Sequence, residues 1–178
     1  MAKVDYGIEE IILTPRLATG EFPDFNTATD KIKVTNIVID SFQFNQDDDE
    51  TTNINWEDYN DVGLILRGNR GLKSMVVQSD NFDNEAVAYL LGMTEDADGY
   101  MIENPDFVLG NQSMRVKTRE VGQYGALLHE WVNLKVAVKK LGTLGKNGLT
   151  HLELTLSQEL NIADTGEQKP NYRFTTVA

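Results

Sequence analysis

The sequence predicts a mainly β protein, an antiparallel β-sandwich or half-barrel with one flanking α-helix. Several segments alternate apolar and polar residues with a period of two, which is typical of half-buried strands. Only residues 82–93 repeat apolar side chains at helical spacing. A chain of 178 residues has the length of one domain. We therefore expect a single domain over 1–178.

The N-terminal part, residues 1–31, is predicted to be one strand followed by a loop. Residues 8–13 are apolar enough for a short strand, which Thr14 and Pro15 end. Residues 15–31 contain proline, glycine and small polar residues, a composition typical of loops.

Two strands, at 32–44 and 51–57, are expected to form a hairpin. Side chains alternate along a strand, so keeping the apolar faces together pairs Phe44 with Thr52, and Phe42 with Ile54. Neighbouring carboxylates repel one another and cannot be buried unpaired. The tip of this hairpin must therefore lie in water, on a cation or against a basic partner. Its acidic residues are Asp47, Asp48, Asp49 and Glu50.

One helix follows two further strand candidates, at 62–66 and 71–79. Asn81 or Asp83 can cap its start and Gly92 can end it. Its apolar face is expected to pack on the sheet. The residues expected to pack there are Phe82, Ala86, Tyr89 and Leu90, and Met93 continues the same face.

The C-terminal third carries the clearest strand pattern, at 126–140 and 149–156. Pairing Val136 with Leu152 keeps the two apolar faces together. Residues 161–178 have little periodicity, which predicts an extended C-terminal arm.

The composition excludes several classes of protein. Without cysteine there can be no disulfide scaffold, thiol nucleophile or iron–sulfur cluster. The longest apolar run has seven residues, whereas a membrane helix needs about 20, so we expect no membrane partner. A net charge of −12 argues against gripping DNA by neutralising its phosphates.

Charge is unevenly distributed along the chain. Residues 1–61 carry a net charge of −10, residues 62–111 carry −5, and residues 112–178 carry +3. Solvated faces explain this pattern, and so does self-association between acidic and basic surfaces. Three cations alternate on one predicted strand, where they form either a solvated face or a subunit contact. They are Arg115, Lys117 and Arg119.

Candidate chemical sites are incomplete. Asp96 and Asp98 lie where a calcium loop has ligands, but Pro105 stands where that loop needs a bidentate glutamate. His129 and His151 lie on polar strand faces without a third ligand at a telling spacing. We expect no catalytic residue, no metal site and no cofactor.

The order of parts over residues 5–170 carries a resemblance. The chain begins with an N-terminal strand and a loop that contains TGEFPDF. The predicted strand VTNIVIDSFQFNQ with its acidic tip comes next, followed by TTNINWED. A helix that ends in LLGM, two long amphipathic strands and a polar arm complete the order. This order resembles bacteriophage tail tube (major tail) proteins, which are related to the tubes of contractile injection systems.

The resemblance implies a non-enzymatic structural protein of the virion tail, assembled in the bacterial host cytoplasm. Hexameric rings would join their sheets into a multi-subunit β-barrel and stack into a hollow tube. Its partners would be further copies and tail proteins such as the tape measure, baseplate or terminator. Genomic DNA would pass through during ejection without specific binding. Asp47 to Glu50 and the three cations would then be ring-stacking or subunit contacts.

The polar faces of the long strands are the expected lining of the lumen, because their apolar faces must cover the core. Lys135 is an exception on these faces, and its expected pairing with Glu153 would mask it. The candidate lining residues are Asn53, Asn55, Glu57, Glu153, Thr155 and Ser157.

Two other classes stay open. A carbohydrate- or calcium-binding β-sandwich would need exposed aromatic residues in a groove, and Trp131 could serve there. A small enzyme would need two carboxylates brought together from separate strands.

Overall fold

A computed structural model describes most of the chain. The described residues are 7–38, 40–47, 51–55, 62–67, 73–80, 83–120, 125–145 and 148–177. For 51–55, 62–67, 143–145 and 148–150 the description covers the backbone only. Six residues named above lie outside the described residues: Asp48, Asp49, Glu50, Glu57, Asn81 and Phe82.

The described residues form twelve β-strands and one α-helix, so the predicted mainly β class is confirmed. The first six strands are β1 (Ile8–Pro15), β2 (Ile32–Val34), β3 (Gln43–Gln46), β4 (Thr51–Asn55), β5 (Val62–Arg67) and β6 (Lys73–Ser79). The helix is α1 (Asn84–Leu91). The remaining strands are β7 (Thr94–Glu95), β8 (Met101–Ile102), β9 (Gln112–Thr118), β10 (Ala126–Gly145), β11 (Gly148–Gln158) and β12 (Tyr172–Val177).

Eight of the strands form one antiparallel sheet in the order β2-β1-β9-β10-β11-β6-β3, with β12 beside β10. The 20-residue strand β10 pairs with β9 on one edge, and with β12 and then β11 on the other. Strands β2 and β3 lie at opposite ends of this order but belong to one chain segment. Between them, Ile37 forms a β-bridge with Ser79 of β6. The sheet therefore curls, although the described strands do not close into a barrel. Strands β4 and β5 pair separately, as do β7 and β8.

The core lies on one face of this curled sheet. On β6, on β9 from Met114 onward and on β11, buried residues alternate with more exposed ones, as the period of a strand requires. The helix adds Ala86 and Leu90 to the same cluster. The largest fully buried residues of this core cluster are Ile11, Leu13, Met114, Leu134, Leu152, Leu154 and Leu156.

The predicted helix forms with the predicted ends. The Asp83 carboxylate accepts a hydrogen bond from the backbone N–H of Ala86 at 2.7 Å, and Gly92 ends the helix with φ 64°. The Tyr89 hydroxyl donates to Gln112 Oε1 at 2.7 Å. Desolvation by burial, helped by the charge of Asp30, raises the pKa of Tyr89 to about 12.

The predicted hairpin between 32–44 and 51–57 is wrong. Asn36 and Asp40 have φ of 51° and 59°, a left-handed conformation that interrupts an extended strand and that Asn and Asp tolerate best. The segment therefore divides into β2 and β3. Strand β3 pairs with β6, where Phe44 lies opposite Met75, and β4 pairs with β5.

The predicted register of the β10–β11 hairpin is also wrong, by four residues. Val136 lies opposite Leu156 instead of Leu152, and Lys135 lies opposite Ser157. The strands continue through the predicted loop as far as Gly145 and Gly148, which shortens the turn. An even shift preserves side-chain parity, so the apolar faces still coincide.

The C-terminal arm is in part a strand. Residues 172–177 pair antiparallel with residues 126–131 of β10, which the sequence analysis did not predict.

Candidate functional site

The side of the sheet opposite the core carries a continuous polar surface, which we call the outer polar face. Side chains alternate between the two faces of a strand, so the residues of the outer polar face are the chain neighbours of buried residues such as Met75 and Leu154. All of its side chains are half-buried or exposed. They belong to β3 (Gln43, Asn45), β6 (Ser74, Val76, Gln78), β10 (Lys135, Ala137, Lys139) and β11 (Glu153, Thr155, Ser157).

Three of the expected lumen residues, Glu153, Thr155 and Ser157, lie together on the outer polar face. Asn53 and Asn55 lie on β4, outside the eight-stranded sheet, and their side chains are outside the described part. The structure therefore brings half of the predicted set onto one surface.

The charges on the outer polar face differ from those expected. The expected partner of Glu153 was Lys135, but register places Lys139 opposite it. Glu153 Oε2 accepts a hydrogen bond from Gln78 Nε2 at 3.1 Å. With Lys135 also on this face, its described charges are two lysines and one glutamate.

The cations of β9 contact acids of β1 in the same chain. Lys117 Nζ lies 3.0 Å from Glu9 Oε2. Arg115 Nη2 lies 3.4 Å from Glu10 Oε1, its Nη1 donates to Asn26 Oδ1 at 2.9 Å, and its guanidinium lies 5.5 Å from the centre of the Phe25 ring. These two side chains stabilise the pairing of neighbouring strands. Their role as subunit contacts stays a prediction.

Glu10 lies between two cations. Partial burial alone would raise the pKa of Glu10. Lys33, whose Nζ lies 2.7 Å from Glu10 Oε2, and Arg115 outweigh this effect through their hydrogen bonds and positive charge. The pKa of Glu10 therefore lies below its usual value. The carboxylate therefore stays ionised at neutral pH and serves as an ion-pair partner.

Two further predicted contact residues are exposed. Asp47 follows β3 directly, at the described end of the acidic tip. Arg119 follows β9, and its backbone N–H donates to the carbonyl of Gly7 at 3.3 Å.

An aromatic surface that the sequence analysis missed lies where β3, β10 and β12 meet. We call it the aromatic strip. Ring centres of successive members lie 4.9–6.2 Å apart. Its members are Phe42, Phe44, His129, Trp131, Tyr172 and Phe174.

The aromatic strip runs from the core to solvent. Trp131 is 7% exposed, whereas Phe44 is 62%, Phe174 52% and Tyr172 41% exposed. His129 Nδ1 lies 2.8 Å from the Tyr172 hydroxyl. Alternating aromatic residues at 172 and 174 were the sequence signal for this surface, but they lie in the segment predicted to be an arm.

A cleft of about 510 Å³ lies beside the aromatic strip. Three members of the aromatic strip also line the cleft: Phe42, Phe44 and His129. The remaining lining residues are Gly7, Ile8, Ile37, Val38, Asp40, Val116, Thr118 and Arg119. The cleft extends the exposed apolar surface toward the end of β9.

Strand edges form the third feature of this region. Each of β3 and β12 pairs with a single strand among the described residues, so each lies at an edge of the described sheet. All six residues of β12 are at least partly exposed, and all four of β3 are exposed. An exposed edge can hydrogen-bond another strand.

No three His, Asp or Glu side chains within the described ranges converge on a point that could hold a metal ion. In the sequence that partly matches a calcium loop, Asp96 Oδ1 accepts from the backbone N–H of Asp98 at 2.9 Å and of Tyr100 at 2.8 Å. This carboxylate therefore organises a turn. In the part of the chain that is described, no helix is long and apolar enough to cross a membrane.

No protein-family model matches the chain, and no curated protein matches it with significant similarity.

Proposed function

We propose that the chain is the structural subunit of a phage or phage-like tail tube, in which hexameric rings stack around a channel for DNA. The observation that carries this proposal is a curled antiparallel sheet with exposed edges and a polar face opposite its core. The overall order of elements that resembles tail tube proteins supports it.

Exposed sheet edges favour assembly in the proposed tube. A strand with unpaired N–H and C=O groups is a liability in a monomer, and closing strands into a barrel removes the exposed edges. Two different edges on one chain, those of β3 and β12, suit a head-to-tail contact, which closes into a ring when the rotation between copies allows it.

The aromatic strip supplies the apolar part of the proposed contact between copies. Phe44, Tyr172 and Phe174 lie on or beside the two exposed edges. Burying aromatic side chains at an interface often accounts for much of its binding energy.

The outer polar face is the proposed lining of the channel. Side chains such as Thr155 and Ser157 stay hydrated and offer no fixed cation to a phosphate. Glu153, which lies opposite Lys139, offsets one of the two lysines on this face. DNA then passes with weak, salt-sensitive contacts.

Assembly of the purified protein tests this proposal. At high concentration and low salt we expect masses in multiples of six, and rings or tubes by negative-stain electron microscopy. Replacing both Tyr172 and Phe174 by serine should weaken assembly and leave circular dichroism unchanged. Replacing Leu17, which is 42% exposed and outside the strip, by serine is the control. A strictly monomeric wild-type protein under these conditions would contradict the proposal.

A carbohydrate-binding module is the second candidate, because exposed aromatic rings lie beside a cleft. His129, Tyr172 and Phe174 lie nearly parallel there, with interplanar angles of 15–21° and ring centres 6.1–6.2 Å apart. A dispersed monomer that binds immobilised glycans would favour this candidate over the tube.

A further inference from the structure

Apolar side chains are exposed on the segment between α1 and β9. We call residues 94–108 the β7–β8 arm, which comprises β7, β8 and the loop that follows. Tyr100 is 71% exposed, Ile102 52%, Phe107 36% and Val108 85%. The same residues include five acids and no lysine, arginine or histidine. The β7–β8 arm therefore presents apolar side chains among negative charges.

Local contacts hold the β7–β8 arm in an ordered conformation. The Asp96 carboxylate accepts backbone hydrogen bonds within the turn, and Asn84 Nδ2 of the helix donates to Glu95 Oε2 at 3.0 Å. The Phe107 ring lies directly against Gly92 at the end of the helix. Docking such an ordered surface costs less conformational entropy than docking a mobile loop.

Both ends of the β7–β8 arm are anchored where β9 begins. Before the arm, the Tyr89 hydroxyl of the helix donates to Gln112 Oε1 at 2.7 Å. After the arm, the Gly110 carbonyl accepts a hydrogen bond from Gln112 Nε2 at 2.8 Å, and the chain continues into β9. Gln112 lies opposite Pro15, so this is also the end of the sheet where β1 finishes.

The cleft beside the aromatic strip lies at the other end of the same two strands. Thr118 and Arg119 line it from the end of β9, and Gly7 and Ile8 line it from the start of β1. Strand β9 has seven residues, which span about 20 Å in an extended chain. The β7–β8 arm and the cleft of one chain therefore lie at opposite ends of the sheet.

The cleft is suited to apolar side chains that carry acids beside them. Its volume of about 510 Å³ is within the range of about 300–1,000 Å³ typical of binding pockets. Outside the aromatic strip, Ile8, Ile37 and Val38 line it and are half-buried. Its charged lining residues are Asp40 and Arg119. Arg119 is exposed and has no ion pair with another residue of the described ranges.

We propose that the β7–β8 arm of one copy inserts exposed apolar side chains into the cleft of a second copy. This inference rests on the proposed tube and names the contact by which one ring stacks on the next. Because the arm and the cleft lie at opposite ends of β9, the contact is heterologous, and repeating it adds copies in one direction. Burial of Ile102 and Val108 supplies affinity, and Arg119 offers the acids of the arm a counter-charge.

Cysteine cross-linking tests the contact directly, because the wild-type chain contains no cysteine. One variant carries Val108→Cys in the arm, and the other carries Val38→Cys in the cleft. When the two variants assemble together, a short bismaleimide should link one variant to the other and neither variant to itself. In the control mixture Leu160→Cys replaces Val108→Cys. Leu160 is 60% exposed and lies outside both surfaces, so this mixture should give no product.

Sedimentation of assembled protein tests the physical basis of the contact. Ile102→Ser with Val108→Ser removes apolar surface that docking buries, so the concentration for half-assembly should rise about tenfold or more. Arg119→Glu should raise this concentration as well, whereas Arg119→Lys keeps the positive charge and should assemble as the wild-type protein does. The three positions are exposed, so circular dichroism should show an unchanged fold.

The outcomes separate this contact from the tube itself. Wild-type tubes, together with cysteine variants that assemble but give no arm–cleft cross-link, overturn the contact and leave the tube proposal standing. Half-assembly of the Ile102→Ser, Val108→Ser variant at the wild-type concentration also overturns the contact. A wild-type protein that never assembles overturns both proposals.

Discussion

Replacing Leu90 by alanine is expected to lower the free energy of unfolding by about 2–5 kcal/mol. Leu90 is 4% exposed and belongs to the core cluster, where α1 lies against β2. Removing its terminal carbons loses hydrophobic transfer energy and leaves a cavity that close-packed neighbours fill only in part.

Urea unfolding followed by circular dichroism measures this loss. Leu160→Ala is the matched control, because Leu160 is 60% exposed and its truncation should change stability by less than about 0.5 kcal/mol. An equally small effect at Leu90 would contradict the packing of the helix on the sheet.

Gly92→Ala is the second substitution for which we expect a large loss of stability. Gly92 has φ 64°, a conformation that costs an L-residue about 1–2 kcal/mol. A Cβ atom at this position would also overlap the Phe107 ring, so the ring or the helix end must move. We expect the total loss to exceed the backbone cost alone.

Two comparisons separate these contributions in thermal unfolding experiments. Gly110→Ala adds a Cβ with no heavy atom within 4 Å and should be nearly neutral. Adding Phe107→Ala to Gly92→Ala removes the overlap and leaves the backbone cost. If Gly92→Ala is no more destabilising than Gly110→Ala, the observed end of the helix is contradicted.

The alternation of side chains predicted where strands lie but only part of how they pair. It located β10 and β11 and the faces that they bury. However, a period of two determines register only to within an even shift, so it did not exclude the observed pairing of Val136 with Leu156. The length of the turn decided between these registers.

Local conformation accounts for the other main error in the fold. Residues 32–44 alternate well enough to predict one strand, but Asn36 and Asp40 adopt positive φ and redirect the chain. This change of direction lets one segment pair with β1 at one end and with β6 at the other. Such a break depends on tertiary pairing, which periodicity does not report.

The candidate surfaces depended on topology in the same way. The sequence placed Arg115 and Lys117 on one strand face, but their contacts with Glu10 and Glu9 require β1 and β9 to be neighbours. The aromatic strip needs β12 beside β10, a pairing between distant segments. By contrast, Glu153, Thr155 and Ser157 were predicted to share a face from alternation alone.

A three-dimensional reconstruction of the assembled protein by electron cryomicroscopy tests the tube proposal most directly. The proposal predicts hexameric rings around a bore lined by the outer polar face, with Glu153, Thr155 and Ser157 toward the channel. An assembly without a bore, or a bore lined by Arg115, Lys117 and Arg119, would contradict it.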